Sequence, residues 1–102
     1  MMANFKEVVA SSKKDVVALV KASWCSYCKS ILPIFEEISI ELAAVYEFII
    51  VDVDENPDVP KNYKVTGFPT IICIRDGVEM GREVGFKSKE ALVEGLKNHF
   101  NK

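Results

Sequence analysis

Val16-Val17-Ala18-Leu19-Val20-Lys21-Ala22-Ser23-Trp24-Cys25-Ser26-Tyr27-Cys28-Lys29 is the stretch that decides the reading of this chain. Its first five residues are apolar without alternation, the pattern of a strand covered on both faces at the centre of a sheet. Two cysteines separated by two residues follow, close enough to bridge as a disulfide without unfolding their surroundings. A helical pattern begins at Cys28, so Cys25 falls at or beside a helix N-terminus. There, unpaired N–H groups and the positive end of the helix dipole favour a thiolate. The pattern implies a dithiol that exchanges electrons. Cys25 is the expected attacking nucleophile, and Cys28, one turn further in, is placed to resolve the mixed disulfide that Cys25 forms.

Working outward, Ile31, Leu32, Phe35, Ile38 and Leu42 hold a period near 3.6 and predict one helix from Cys28 to about Tyr46. Pro33 lies inside it and predicts a kink. Upstream, Phe5, Val8 and Val9 predict a short helix that ends in Ser11-Ser12-Lys13-Lys14-Asp15. Downstream, Phe48-Ile49-Ile50-Val51 reads as a second buried strand, ended by the turn-rich Asp52-Val53-Asp54-Glu55-Asn56-Pro57. Asp58 to Tyr63 can form a short helix with Pro60 in its first turn. Thr70 to Ile74 and Val78 to Val84, joined across Arg75-Asp76-Gly77, read as a β-hairpin. Ser88 can cap a last helix carrying Leu92, Val93, Leu96 and Phe100. The order is βαβ followed by ββα.

The 102 residues, 49% of them hydrophobic, suit one domain spanning 1–102. A net charge of -2 with interspersed signs offers no basic stripe, so no nucleic-acid partner is expected. No apolar run approaches the ~20 residues needed to span a bilayer, and Met1-Met2-Ala3-Asn4-Phe5-Lys6 lacks the apolar region of a signal peptide. No membrane association and a cytoplasmic location are therefore expected. Three cysteines are too few for a disulfide framework. A reduced Cys-X-X-Cys pair is either catalytic or metal-binding, but zinc takes four ligands, and beyond the pair only Cys73 and His99 are offered, with no second paired motif. No metal is expected. Cys73, among isoleucines, reads as a small buried hydrophobe. His99, on a polar helix face, reads as a solvated side chain.

Taken together, Trp24 before the first cysteine, Lys29 after the second, Pro33, Asp54 and Pro57, Gly67-Phe68-Pro69-Thr70, and Val84-Gly85 make the chain resemble the thioredoxin family over nearly its whole length. The resemblance implies an α/β thioredoxin fold, a central mixed β-sheet flanked by helices on both faces, and a cis peptide at Pro69, which would face the cysteine pair. It implies a protein-disulfide reductase with Cys25 and Cys28 as catalytic residues and no bound cofactor. Disulfide-containing proteins are the implied substrates and a thioredoxin reductase the electron donor. Trp24, Ser26, Tyr27, Phe68, Pro69, Val84 and Gly85 are the implied substrate rim, and a monomer is expected. Lys21 and Lys29 flank the pair; surface solvation is the default for both, although either cation within several ångströms would further lower the pKa of Cys25.

Three positions depart from the family pattern. Its buried aspartate falls at Leu19 and the accompanying lysine at Ile50, both apolar here. The inner dipeptide is Ser26-Tyr27, where thioredoxins usually carry Gly-Pro and glutaredoxins Pro-Tyr. Tyr27 therefore leaves open a glutaredoxin-like action on glutathione mixed disulfides. A redox-switched binding module built on the Trp24, Phe68 and Pro69 rim is the other alternative.

Overall fold

Val16 to Val20 carry no polar side chain, and none keeps more than 2% of its exposure. Burial on both faces requires strand partners on both edges and helices above and below. The computed structural model, which describes residues 5–85 and 87–101, supplies both; the Met1 to Asn4 stretch read above lies outside them. Strand β1 (Asp15–Lys21) pairs in parallel with β2 (Tyr46–Asp52) and antiparallel with β3 (Thr70–Arg75). Antiparallel β4 (Val78–Val84) completes a mixed sheet of order β2-β1-β3-β4.

The alternation of side chains along the strands divides the interior into two cores. On one face Val16, Ala18 and Val20 meet Ile72 and Ile74, with Phe5 from α1 (Phe5–Ser11) and Val59 from α3 (Asp58–Asn62). On the other, Val17 and Leu19 meet Ile71 and Cys73. Ile31, Phe35 and Ile38 of α2 (Ser26–Glu41) and Leu92, Leu96 and Phe100 of α4 (Lys89–Phe100) cover them. Cys73 is thus a core residue, fully buried as its neighbours suggested.

Helix α2 passes through Pro33 but stops at Glu41, short of the expected Tyr46. The Val45 and Tyr46 N–H groups both turn back to the Leu42 carbonyl, at 3.0 Å each. Tyr46 instead opens β2, where it is buried and stacks on Phe100 with ring centroids 5.0 Å apart. Strand β2 is also less buried than its sequence suggested. It lies at the sheet edge, and Glu47 faces solvent while Phe48 and Ile50 are half-covered.

The hairpin turn is Asp76-Gly77, both at positive φ (52° and 79°), as a two-residue connection with right-handed strand twist requires. Arg75 belongs to β3, where its guanidinium forks onto Asp15 at 2.8 and 2.9 Å and donates to the Phe100 carbonyl at 2.8 Å. Ser88 caps α4 by accepting the Ala91 N–H at 3.2 Å. His99 departs from its expected solvation. Gly81 has no side chain, and the imidazole fills that space, with Nε2 2.6 Å from Glu83 Oε2.

Candidate active site

The end of β1 and the start of α2 meet at the cysteine pair. Cys25 is the N-cap of α2, in extended conformation (φ -90°, ψ 119°), and its own N–H donates to the Ala22 carbonyl at 3.1 Å. Its thiol reaches the Phe68 carbonyl oxygen at 3.6 Å, across 43 residues of sequence. The Phe68–Pro69 peptide is cis, as the resemblance implied. Two further bonds fix that loop: Thr70 Oγ1 donates to the Gly67 carbonyl at 2.6 Å, and the Gly85 N–H donates to the Pro69 carbonyl at 2.8 Å. The second bond ties the end of β4 to Pro69, with Gly85 at positive φ (87°).

Trp24 stands 70% exposed beside this loop, edge-on to Phe68 with ring centroids 5.6 Å apart. Ser26 and Tyr27 are exposed on the first turn of α2, and Val84 is exposed beyond the loop. Pro69 is buried and Phe68 half-buried. The structure therefore brings Trp24, Cys25, Phe68, Pro69 and Gly85 into one connected surface, with Val84 packing toward Gly67.

The two thiols influence each other and are inequivalent. Burial pushes Cys25 up, but the Cys28 thiol and the Cys28 and Tyr27 N–H groups, which favour its thiolate, together bring it below its ordinary 9.0. These N–H groups belong to the first turn of α2, which is the helix-terminus effect expected from the sequence. Cys28 is only 1% exposed against 9% for Cys25. Burial, then its hydrogen bond to Cys25, push Cys28 up to about 11, against opposing pulls from the Ala22 N–H and the Lys21 ammonium.

Over residues 1–98 the sequence matches the family model described as Thioredoxin. The chain belongs to the thioredoxin family. Similar curated proteins include a thioredoxin of Mycobacterium tuberculosis, 40% identical over 92% of this chain and 81% of that protein. A thioredoxin of Rickettsia bellii is 33% identical over 94% of this chain and 91% of its own length. Among solved structures, one concerns the thiol-resolving mechanism of a yeast mitochondrial 1-Cys peroxiredoxin via glutathione and thioredoxin systems. It superposes with a TM-score of 0.81 at 29% identity, covering 92% of this chain and 86% of that one. A Cys-X-X-Cys pair in contact, on a thioredoxin fold, within this family makes the protein a thiol–disulfide oxidoreductase. Family membership implies disulfide substrates and a reductase as electron source. No described helix is long and apolar enough to cross a membrane.

Of the flanking lysines, Lys29 keeps the solvated default and Lys21 departs from it. Lys29 is exposed. Lys21 pairs with Asp52 at 3.1 Å, and its charge bears on Cys28, not Cys25. Asp52 escaped the sequence reading because its proximity to Lys21 depends on strand register. Aligning Leu19 with Ile50 as neighbours places Lys21 opposite Asp52 two residues later.

Proposed function

We propose that Cys25 and Cys28 are the catalytic residues of a protein-disulfide reductase, with Cys25 as nucleophile and Cys28 as resolving thiol. The inequality of the two thiols carries this reading. Cys25 is the more accessible and the more acidic, while Cys28 is sealed and protonated until it is needed. The Cys25 thiolate attacks one sulfur of a substrate disulfide, forming a mixed disulfide and releasing the other sulfur as a thiolate. Cys28 then attacks Cys25, closing the Cys25–Cys28 disulfide and freeing the reduced substrate. Trp24, Ser26, Tyr27, Phe68, Pro69, Val84 and Gly85 form the rim that receives the substrate segment. Main-chain groups of the Phe68 loop offer it pairing. A thioredoxin reductase returns the electrons, and the enzyme works as a cytoplasmic monomer of one domain.

Turnover of Cys25→Ser and Cys28→Ser with a reductase and a protein disulfide tests the roles. Cys25→Ser should abolish reduction, and Cys28→Ser should accumulate a trapped mixed disulfide on Cys25. Undiminished turnover of a glutathione mixed disulfide by Cys28→Ser would favour the glutaredoxin-like alternative. Partner binding that survives both changes without any turnover would favour a binding module.

A further inference from the structure

Two glycines, Gly81 on β4 and Gly95 on α4, leave matching gaps in the seam between strand and helix. Along β3, Ile71 and Cys73 point into the core that α4 covers. Their partners across the ladder are Glu83 and Gly81, which therefore face α4 as well. On α4, Gly95 and His99 lie one turn apart and share a face. A methyl group at Gly81 would overlap the His99 ring, and one at Gly95 would stand 2.9 Å from Glu83 Cδ. Each glycine thus leaves the space that a polar side chain of the opposite element fills. Glycine inside a helix or strand is less stable than alanine, so leaving these two places bare weakens both elements on their own.

The two side chains that fill the gaps meet. His99 Nε2 lies 2.6 Å from Glu83 Oε2, and an ionised carboxylate only accepts, so Nε2 carries the proton whether the ring is neutral or charged. The other carboxylate oxygen lies 3.6 Å from Lys87 Nζ. The His99 and Glu83 side chains are only 19% and 17% exposed, which strengthens the contact. Glu83 and Lys87 bracket Val84 and Gly85, the part of the rim that the end of β4 supplies. The Gly85 N–H donates to the Pro69 carbonyl at 2.8 Å, one residue from Phe68, whose own carbonyl oxygen lies 3.6 Å from the Cys25 sulfur. Strand β4 lies at the sheet edge, and its ladder ends where Val84 meets Thr70. The end of an edge strand opens readily unless something else holds it. Here Glu83 is held from α4 on one side and by Lys87 on the other.

We propose that His99 and Glu83 are positioning residues for the substrate rim. By fastening the end of β4 to α4 they hold the Gly85 N–H on the Pro69 carbonyl, and with it the Phe68 loop against Cys25. This rests on the reading of that rim as the surface that receives the substrate segment. Neither residue takes part in the exchange of sulfur bonds. A disulfide carried on a peptide depends on where the main-chain groups of the loop stand, because they orient the segment for attack. A small aromatic disulfide depends on the Cys25 thiolate and little else.

The test compares the parent with His99→Ala and with His99→Gln, whose side-chain amide keeps an N–H for Glu83. Gly95→Ala is the second variant, since it favours the helix yet pushes the Glu83 carboxylate aside. Trp24→Ala serves as a direct change to the rim. Each reduced protein is mixed with a disulfide-closed peptide and, separately, with a chromogenic aryl disulfide, and the ratio of the two rate constants is read. His99→Ala should lower that ratio about fivefold, the factor that one lost hydrogen bond carries. Gly95→Ala should lower it too, and His99→Gln should restore most of it. In His99→Ala the Gly85 amide should exchange with solvent faster while that of Leu19 does not, as local release of the loop requires. A merely structural role would lower the urea midpoint and leave the ratio unmoved. A ratio that Trp24→Ala lowers but neither His99→Ala nor Gly95→Ala changes overturns the positioning role and leaves the rim standing. A ratio unchanged in every variant, Trp24→Ala included, overturns the reading of the rim, and this proposal with it.

Discussion

Leu19 stands directly opposite Ile50 in the parallel β1–β2 ladder, and Leu19 has no solvent exposure at all. An apolar pair therefore lies inside the sheet, on the face that α2 covers.

Leu19→Asp should be strongly destabilising, by roughly 3 kcal/mol or more, because it removes packed methyl groups and buries a carboxyl group. Burial raises the pKa of that carboxyl, so the folded state holds a proton that the unfolded state releases above about pH 4. The variant should lose further stability as pH rises from there, a slope absent from the parent. Denaturant midpoints of both proteins at pH 4, 6 and 8 check this. Parallel profiles would mean the new carboxyl is solvated.

In the reduced protein, Cys25 should be alkylated first at neutral pH, with Cys28 and Cys73 protected by burial. Mass mapping of the modified peptides decides the order.

Cys28 should also shape stability in alkali. Its folded pKa of about 11 exceeds the reference 9.0, so its contribution is intact below pH 9 and is lost as pH rises through 11. The loss is up to about 3 kcal/mol. Cys25 has the opposite sign: its lowered pKa stabilises the folded state above 9.0, and that contribution fades as pH falls through the folded value. Comparing the reduced protein with Cys28→Ala in denaturant between pH 8 and 11 isolates the larger effect, which Cys28→Ala should flatten.

Ser88→Ala removes the side-chain acceptor at the start of α4 and should lower stability by about 1 kcal/mol. Ser88→Asp should largely restore it, as seen in urea melts.

Gly81→Ala would drive a methyl group into the His99 ring and separate it from Glu83. A destabilisation of about 1–3 kcal/mol is expected. His99→Ala should absorb most of it, so the double variant should be more stable than additivity of the two single changes allows.

The parts legible in the sequence were those set by local pattern. Val16 to Val20 announced a central strand because five apolar residues in a row need cover on both faces. Ser88 announced a cap, and Arg75-Asp76-Gly77 a turn, one residue longer than the Asp76-Gly77 connection found. Cys25 could be placed at a helix start because an apolar strand precedes it and a helical period follows. The misread features depended on distant contacts. Tyr46 fits the α2 period, yet Phe100 draws it into β2. His99 lies on a polar stretch of α4, yet a glycine on β4 leaves room for it. Lys21 and Asp52 are 31 residues apart and meet only through register.

Cys25 and Cys28 close a ring of only four residues, so bridging them removes little freedom from an unfolded chain, about 2 kcal/mol. The folded and unfolded states, each oxidised or reduced, form a closed thermodynamic cycle. Around it, the difference in unfolding free energy between the two redox forms equals the displacement of the reduction potential from that of the same four residues in an unstructured chain. Each ~1.4 kcal/mol by which the dithiol form is the more stable shifts that potential about 30 mV toward the oxidising side. Two denaturation curves thus measure what the N–H groups, the Lys21 charge and the burial of Cys28 jointly do to the electron affinity of the pair.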